Sequence, residues 1–120
     1  MRRIIDDACA RPATAGVHLS IERWNAAQDG PLTESALRGK LEARGYRCAT
    51  YTYAPGTSFA LHAHAEDKID GVLRGRLRIC MDGRAYDLGP GDCIAVPKGR
   101  SHTAEVLGEE AVLSVDAVRD

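Results

Sequence analysis

Short alternating segments make up most of this chain after Gly45. Stretches of about five to nine residues, in which apolar and polar side chains alternate, are separated by breaks rich in glycine, proline and acidic residues. The pattern predicts about seven strands. One break, Asp82-Gly83, predicts a hairpin because this pair tolerates the positive φ of a type I′ turn. Many short, evenly spaced strands favour an all-β fold, an antiparallel sandwich or barrel with protected edges.

A helical pattern precedes the strands, over residues 33–44. Thr33 can cap a helix, Leu37 and Leu41 fall on one face at i and i+4, and Gly45 is a natural stop. We therefore expect one short amphipathic helix in front of the strands.

The N-terminal residues 1–30 are irregular, apart from a strand-like alternation over residues 17–21. We expect them to form an arm that lies on the barrel or on a partner subunit. His18, which lies in this arm, has no motif around it and is expected at a surface or interface. The arm and helix (residues 1–45) and the barrel (residues 46–120) are expected to form one structural domain.

Composition narrows the classes of function. With 120 residues and 44% hydrophobic side chains, the chain can build one compact core. The charges are balanced, 16 basic against 17 acidic residues, so we expect neither nucleic acid nor an anionic membrane surface as a partner. No apolar run has the length of a signal peptide or a membrane span, which predicts a cytoplasmic protein.

The four cysteines show no close pairing of the C-x-x-C kind. A reducing cytosol would keep them as thiols, and we interpret them as small apolar residues. They are Cys9, Cys48, Cys80 and Cys93.

Three of the four histidines make sense together. His62 and His64 are two residues apart, a spacing that places both side chains on one face of a strand. His102 follows the turn at residues 97–99, from which a strand could carry it into the same interior. Converging neutral imidazoles suit Zn, Fe, Ni, Mn or Cu and leave positions open to water or substrate. A His-x-His pair also occurs on strands by chance, so the pair alone decides nothing.

The spacing of the surrounding residues resembles the two signature motifs of the cupin superfamily. The first, G-x5-H-x-H-x10-G, is formed by Gly56, His62, His64 and Gly75, and the second, G-x5-P-x-G-x2-H, by Gly91, Pro97, Gly99 and His102. The chain departs from the motifs at Lys68, where the family has a glutamate, and at Val106, where it has an asparagine. The resemblance covers residues 56–106, with a short stretch between the motifs as in small single-domain microbial cupins.

This resemblance implies a single jelly-roll barrel with a divalent metal, Fe, Zn, Ni or Mn, held mainly by His62, His64 and His102. It also implies a homodimer, since cupins commonly pair through an N-terminal arm and a barrel edge. Oxygenase, lyase and isomerase chemistries all occur in similar families, and a fold alone does not choose between them.

Lys68 raises the main question, because an ammonium cannot bind a metal and repels a nearby dication. Three arrangements are open: the three histidines hold the metal alone, Asp67 or Glu66 swings in as a fourth ligand, or the pocket lacks metal and Lys68 binds an anionic group. Asp70 lies two residues further on and shares the face of Lys68. We expect both in the interior, although a solvent-exposed pair is the ordinary alternative.

Two hypotheses of function follow. In the first, the chain is a metal-dependent enzyme in which Lys68 and Asp70 position or protonate a small polar substrate. In the second, it is a non-catalytic barrel that binds or senses a small molecule, with or without metal. Tyr51 and Tyr53 alternate on the strand before the first motif and could line the pocket, although aromatic residues on strands usually serve packing. Glu105 and Asp116 could support the site, although carboxylates of this kind are more often ordinary surface groups.

Overall fold

The computed structural model describes residues 20–120, and the N-terminal arm, with His18 and most of the strand expected at residues 17–21, lies largely outside them. Within the described range the chain forms nine strands and two helices. The strands are β1 (Glu22–Arg23), β2 (Arg47–Tyr53), β3 (Ser58–His62), β4 (Asp67–Arg74), β5 (Arg76–Met81), β6 (Arg84–Leu88), β7 (Asp92–Val96), β8 (His102–Leu107) and β9 (Val112–Arg119), and the helices are α1 (Ala26–Asp29) and α2 (Glu34–Glu42).

The strands form two antiparallel sheets that enclose the main core. The five-stranded sheet has the order β1-β7-β4-β9-β2 and the four-stranded sheet the order β3-β8-β5-β6. Apolar side chains from both sheets meet between them, including Val72 and Val96 from the first and Leu77, Ile79 and Met81 from the second. The predicted all-β jelly-roll architecture is confirmed.

Helix α2 covers the outer face of the five-stranded sheet. Its N-cap is Thr33, whose Oγ1 accepts a hydrogen bond from the Ala36 amide at 3.0 Å. Leu37 and Leu41 are each 1% exposed and pack against a second apolar cluster on β4 and β9, which includes Val115. The predicted helix is therefore confirmed, with its regular part at Glu34–Glu42, whereas the one-turn helix α1 was not predicted.

The two faces of the five-stranded sheet explain why its strands alternate. On β4, Ile69 belongs to the cluster under α2, and Val72 belongs to the core between the sheets. Because successive side chains of a strand point to opposite faces, Lys68 and Asp70 share the inward face of Val72. This placement brings two charged residues into the barrel.

Two turns have the backbone geometry that their residue types predict. Asp82 and Gly83 both have positive φ, 55° and 75°, and they join β5 to β6 in the predicted hairpin. Gly75, the last glycine of the first motif, has φ +78°, and a Cβ there would lie 2.6 Å from the carbonyl oxygen of Ala111. No larger residue fits this corner without moving the backbone.

The cysteines depart from expectation in one case. Cys48 and Cys93 are free thiols, and burial raises the pKa of Cys93 to about 12, which makes it unreactive. The interpretation of all four cysteines as thiols is wrong for Cys80, which is disulfide-bonded. Among residues 20–120, neither helix is long and apolar enough to cross a membrane.

Candidate metal centre

Two adjacent strands and one loop bring the three histidines together. His62 ends β3 and lies directly opposite His102, the first residue of β8. The pairing of β3 with β8 shifts register between Phe59 and His62. Because these two residues are three positions apart, regular alternation would place them on opposite faces, and the bulge allows both side chains to face the interior. His64 does not lie on the same strand as His62, as the two-residue spacing predicted, because β3 ends at His62. It lies in the next loop, where its carbonyl accepts a hydrogen bond from the Gly99 amide at 2.7 Å. The loops of the two motifs are thus joined directly.

The imidazole rings lie close enough to share one ion. Their centroids are 4.2 Å apart for His62 and His102, 4.8 Å for His62 and His64, and 5.2 Å for His64 and His102. The possible ligand atoms lie within 4.8 Å of one another. These three residues, and no others in a group of this kind within the described range, could hold a metal ion. The predicted convergence is confirmed.

Hydrogen bonds fix which ring nitrogen is available. Nδ1 of His62 lies 2.6 Å from the carbonyl oxygen of Ala60, and Nδ1 of His102 lies 3.0 Å from that of Arg100. Because a carbonyl oxygen only accepts, each Nδ1 carries the proton and each Nε2 keeps its lone pair. Nε2 of His64 is buried and has no hydrogen-bond partner. A buried nitrogen without a partner is costly, and a metal ion would satisfy it.

Burial also favours the neutral form that a metal requires. It lowers the pKa of His102 to about 4, against an ordinary value of 6.5. Burial is also the main cause of the lowered pKa of His64, and the neighbouring Lys68 and His62 add to it. The donor set therefore fits a divalent transition metal bound by neutral imidazoles.

Lys68 points into the barrel, as expected, but its main partner was not predicted. Its Nζ lies 2.7 Å from Oδ1 of Asp116 and 3.9 Å from Oδ1 of Asp70. Only 12% of the Lys68 side chain is exposed. Asp116, for which the sequence favours an ordinary surface position, is thus a member of the site. Its signal was the alternation of β9, which places Asp116 on the same face as Val112 and Ser114.

The two carboxylates considered as substitutes for the family's glutamate are engaged elsewhere. Glu66 pairs with Arg47 at 3.2 Å on the surface. Oδ1 of Asp67 accepts a hydrogen bond from the Lys98 amide at 3.0 Å and so holds the turn before His102. Neither belongs to the histidine cluster.

A cavity of about 220 Å³ connects the histidines with the charged residues. Its apolar lining comes from Phe59, Leu77 and Ala104, and its polar lining from Tyr53, His62, His64, Lys68, Asp70, His102, Ser114 and Asp116. Burial raises the pKa of Tyr53 to about 12, so its hydroxyl remains a hydrogen-bond donor. The expectation for Tyr53 is confirmed. Tyr51, which is 47% exposed, and Glu105, which lies 3.9 Å from Arg78, are not among the lining residues.

Comparison with known proteins agrees with this architecture. The family model described as "Cupin domain" matches residues 49–118. A protein of unknown function from Rhizobium leguminosarum has 32% sequence identity and a TM-score of 0.56, with 62% of this chain and 69% of that chain covered. No curated protein matches the sequence.

Two further structures share the fold at lower identity. KdgF from Halomonas sp. has 21% identity and a TM-score of 0.55, over 62% of this chain and 70% of that chain. A chain from crystal structures of DMSP lyases has 21% identity and a TM-score of 0.58, over 62% of this chain but only 38% of that chain. At this identity the likeness concerns the fold alone.

Proposed function

The chain belongs to the cupin family, and on this premise we propose that it is a metal-dependent enzyme that acts on a small polar metabolite in the barrel. The metal would be bound by Nε2 of His62, His64 and His102. One observation supports the proposal above the others: Nε2 of His64 is buried without a hydrogen-bond partner. In the other two histidines of the cluster, His62 and His102, Nδ1 is bonded to a backbone carbonyl, so that Nε2 is left for a metal.

The donor set narrows the choice of metal. Three imidazoles without a carboxylate suit Zn, Fe or Ni better than Mn, which prefers oxygen ligands. When bound, such a metal polarises an oxygen of the ligand and leaves coordination positions open for it. We therefore favour Zn(II), Fe(II) or Ni(II) over Mn(II), and we expect Zn(II) or Fe(II) first.

The protein's own residues would bind and orient the ligand. Phe59, Leu77 and Ala104 give the cavity an apolar wall that excludes water, while Lys68 and Asp70 offer polar contacts from β4. Tyr53 adds a hydroxyl donor. At about 220 Å³ the cavity suits a metabolite rather than a polymer.

Among the reactions considered, a lyase or isomerase reaction fits this lining better than an oxygenase reaction. Lyases and isomerases move protons, and Asp70 is a buried carboxyl beside the cavity that could carry one. The similarity to a DMSP lyase structure adds that a barrel of this shape occurs in a lyase.

The cytoplasmic location and the homodimer stay predictions. Light scattering of the purified protein would test whether it is a dimer.

The test is the metal content of protein purified without a histidine tag and without added metal, measured by mass spectrometry. We expect near-stoichiometric Zn or Fe in the wild type and its loss in the His62→Ala, His64→Ala double variant. The Glu66→Gln variant is the control that should keep its metal, since Glu66 pairs with Arg47.

The opposite result would change the assignment. If neither protein holds metal, even after reconstitution with Zn²⁺ or Fe²⁺ under reducing conditions, the metalloenzyme proposal is wrong. The alternative, a non-catalytic small-molecule-binding or sensor barrel organised around Lys68, would then replace it.

A further inference from the structure

Among the described residues that line the cavity, the amine and carboxyl groups are those of Lys68, Asp70 and Asp116. Lys68 and Asp70 lie on β4, and Asp116 lies on the neighbouring β9, where it is directly opposite Asp70 in the register. Their side chains are 12%, 16% and 20% exposed, respectively. Three ionisable groups thus share a mostly buried site.

The charges of this group do not balance. Lys68 Nζ is 2.7 Å from Oδ1 of Asp116, an ion pair without a well-aligned hydrogen bond, and 3.9 Å from Oδ1 of Asp70, so its ammonium lies nearer to Asp116 while within reach of both carboxyl groups. Directly opposite residues on adjacent antiparallel strands have Cβ atoms roughly 5 Å apart, so two ionised carboxylates here would repel each other. A buried site relieves such repulsion by keeping one proton.

The electrostatics of Asp70 agree with this geometry. Burial, the largest cause, raises the pKa of Asp70 to about 7, Lys68 opposes the change, and the charge and hydrogen bonding of Asp116 add to it. Asp70 is therefore the carboxyl group of the pair that holds a proton up to about pH 7.

We infer that Lys68, Asp70 and Asp116 form a unit that holds one proton, in which Asp70 is the acid that faces the ligand and Asp116 is the positioning residue. Asp116 holds Lys68 and disfavours ionisation of Asp70. The inference rests on the proposed function only in assuming that the cavity binds a ligand. The expected ligand class is a small metabolite with an oxygen that gains a proton during reaction, such as an enolate or alkoxide.

The proton transfer is balanced within the site. The O–H bond of Asp70 breaks, an O–H bond forms on the ligand, and the electron pair of the broken bond stays on the Asp70 carboxylate. Lys68, at 3.9 Å, is placed to compensate the new negative charge. A proton from solvent restores Asp70 after product release.

Within residues 20–120, the strands that pack against Asp70 present mainly uncharged groups to it. Across β7 its register partner is the apolar Ile94. Tyr53, from β2, remains a neutral hydroxyl because burial raises its pKa to about 12. The remaining polar lining comes from Ser114, which does not ionise, and from the three histidines.

The experiment is a pH titration of metal-free protein in which aspartate side-chain carboxyl carbons are labelled with ¹³C and followed by NMR. The Asp70→Asn variant assigns the Asp70 signal. In the wild type we expect that signal to titrate near pH 7, the midpoint given by its buried position. We expect Asp116→Asn to lower this midpoint by about one pH unit or more, because the opposing carboxylate is removed and Lys68 can turn to Asp70.

A second variant and a control keep the test decisive. Lys68→Met should raise the Asp70 midpoint, and Asp87→Asn, on a surface carboxylate paired with Arg78, should leave it unchanged. A wild-type Asp70 that titrates near 4, or a midpoint that Asp116→Asn and Lys68→Met both leave in place, overturns the inference. Because the measurement uses metal-free protein, its failure is distinct from a failure of metal binding.

Discussion

Replacing Asp70 with asparagine should stabilise the metal-free protein at neutral and alkaline pH. The folded protein holds the Asp70 proton until about pH 7, whereas the unfolded chain releases it near the ordinary value of 3.8. Between these values the folded state binds more protons than the unfolded state, so this group makes stability fall as the pH rises. Asparagine keeps the shape of the neutral carboxyl without the later ionisation.

The size of this stability difference follows from the gap between the pKa of Asp70 in the unfolded and in the folded protein. From 3.8 to about 7, at about 1.4 kcal/mol for each pH unit, the ionised Asp70 costs the folded protein roughly 4 kcal/mol. The gain in Asp70→Asn should therefore be small near pH 4, grow through pH 5 and 6, and level off above pH 7. Most core substitutions destabilise, so a gain of this size would be unusual.

Urea unfolding followed by fluorescence of the single tryptophan, Trp24, would measure the difference at several pH values in the presence of a chelator. His102 contributes the opposite slope, since its lowered pKa makes stability rise between about pH 4 and 6.5. Both proteins contain His102, so the difference between them removes its contribution.

Asp87→Asn is the matched control. Arg78 donates to Asp87 at 2.7 Å and holds the pKa of that carboxyl below its usual range. The pair is about one-third exposed, so its loss should destabilise by no more than about 1 kcal/mol at every pH above 5. An Asp70→Asn protein that is no more stable than wild type at pH 8, or a gain independent of pH, would refute the reasoning.

The remaining predictions concern the metal and two glycines. Zn²⁺ at a hundredfold excess over its Kd should raise the free energy of unfolding of the wild type by about 2.7 kcal/mol, and with it the midpoint of thermal unfolding. In the His62→Ala, His64→Ala variant Zn²⁺ should leave that midpoint unchanged. A metal-dependent rise in that variant would place the ion elsewhere. Gly75→Ala should cost at least about 2 kcal/mol in urea unfolding, because its Cβ would meet Ala111 and its φ is +78°. Gly39→Ala, in helix α2 with open space around the new Cβ, should instead stabilise by up to about 1 kcal/mol, and the reverse order of the two glycine variants would contradict both assignments.

Local patterns were sufficient to predict most of the fold and the histidines. Thr33, Leu37 and Leu41 define helix α2 within one short window, and the Asp82-Gly83 turn defines a hairpin in the same way. The histidine cluster was predicted from two sequence motifs, and the barrel brings the histidines of both motifs together. In these cases the physical cause lies in residues close to one another in the sequence.

The partner of Lys68 depended on information that no short window contains. Asp116 meets Lys68 only because β9 pairs with β4, and the register of that pairing is a property of the whole sheet. The bulge between Phe59 and His62 is similar, since strict alternation would have placed their side chains on opposite faces. The position of Asp67 under the turn at Lys98 was also not predictable from spacing alone.

The most direct test of the metal centre is a titration of the metal-free protein with Co²⁺, followed by its visible absorption. Ligation by three histidines predicts absorption that saturates at about one Co²⁺ per chain and is lost in His102→Ala. Saturation at one equivalent that persists in His102→Ala, or no absorption change in the wild type, would contradict a centre formed by His62, His64 and His102.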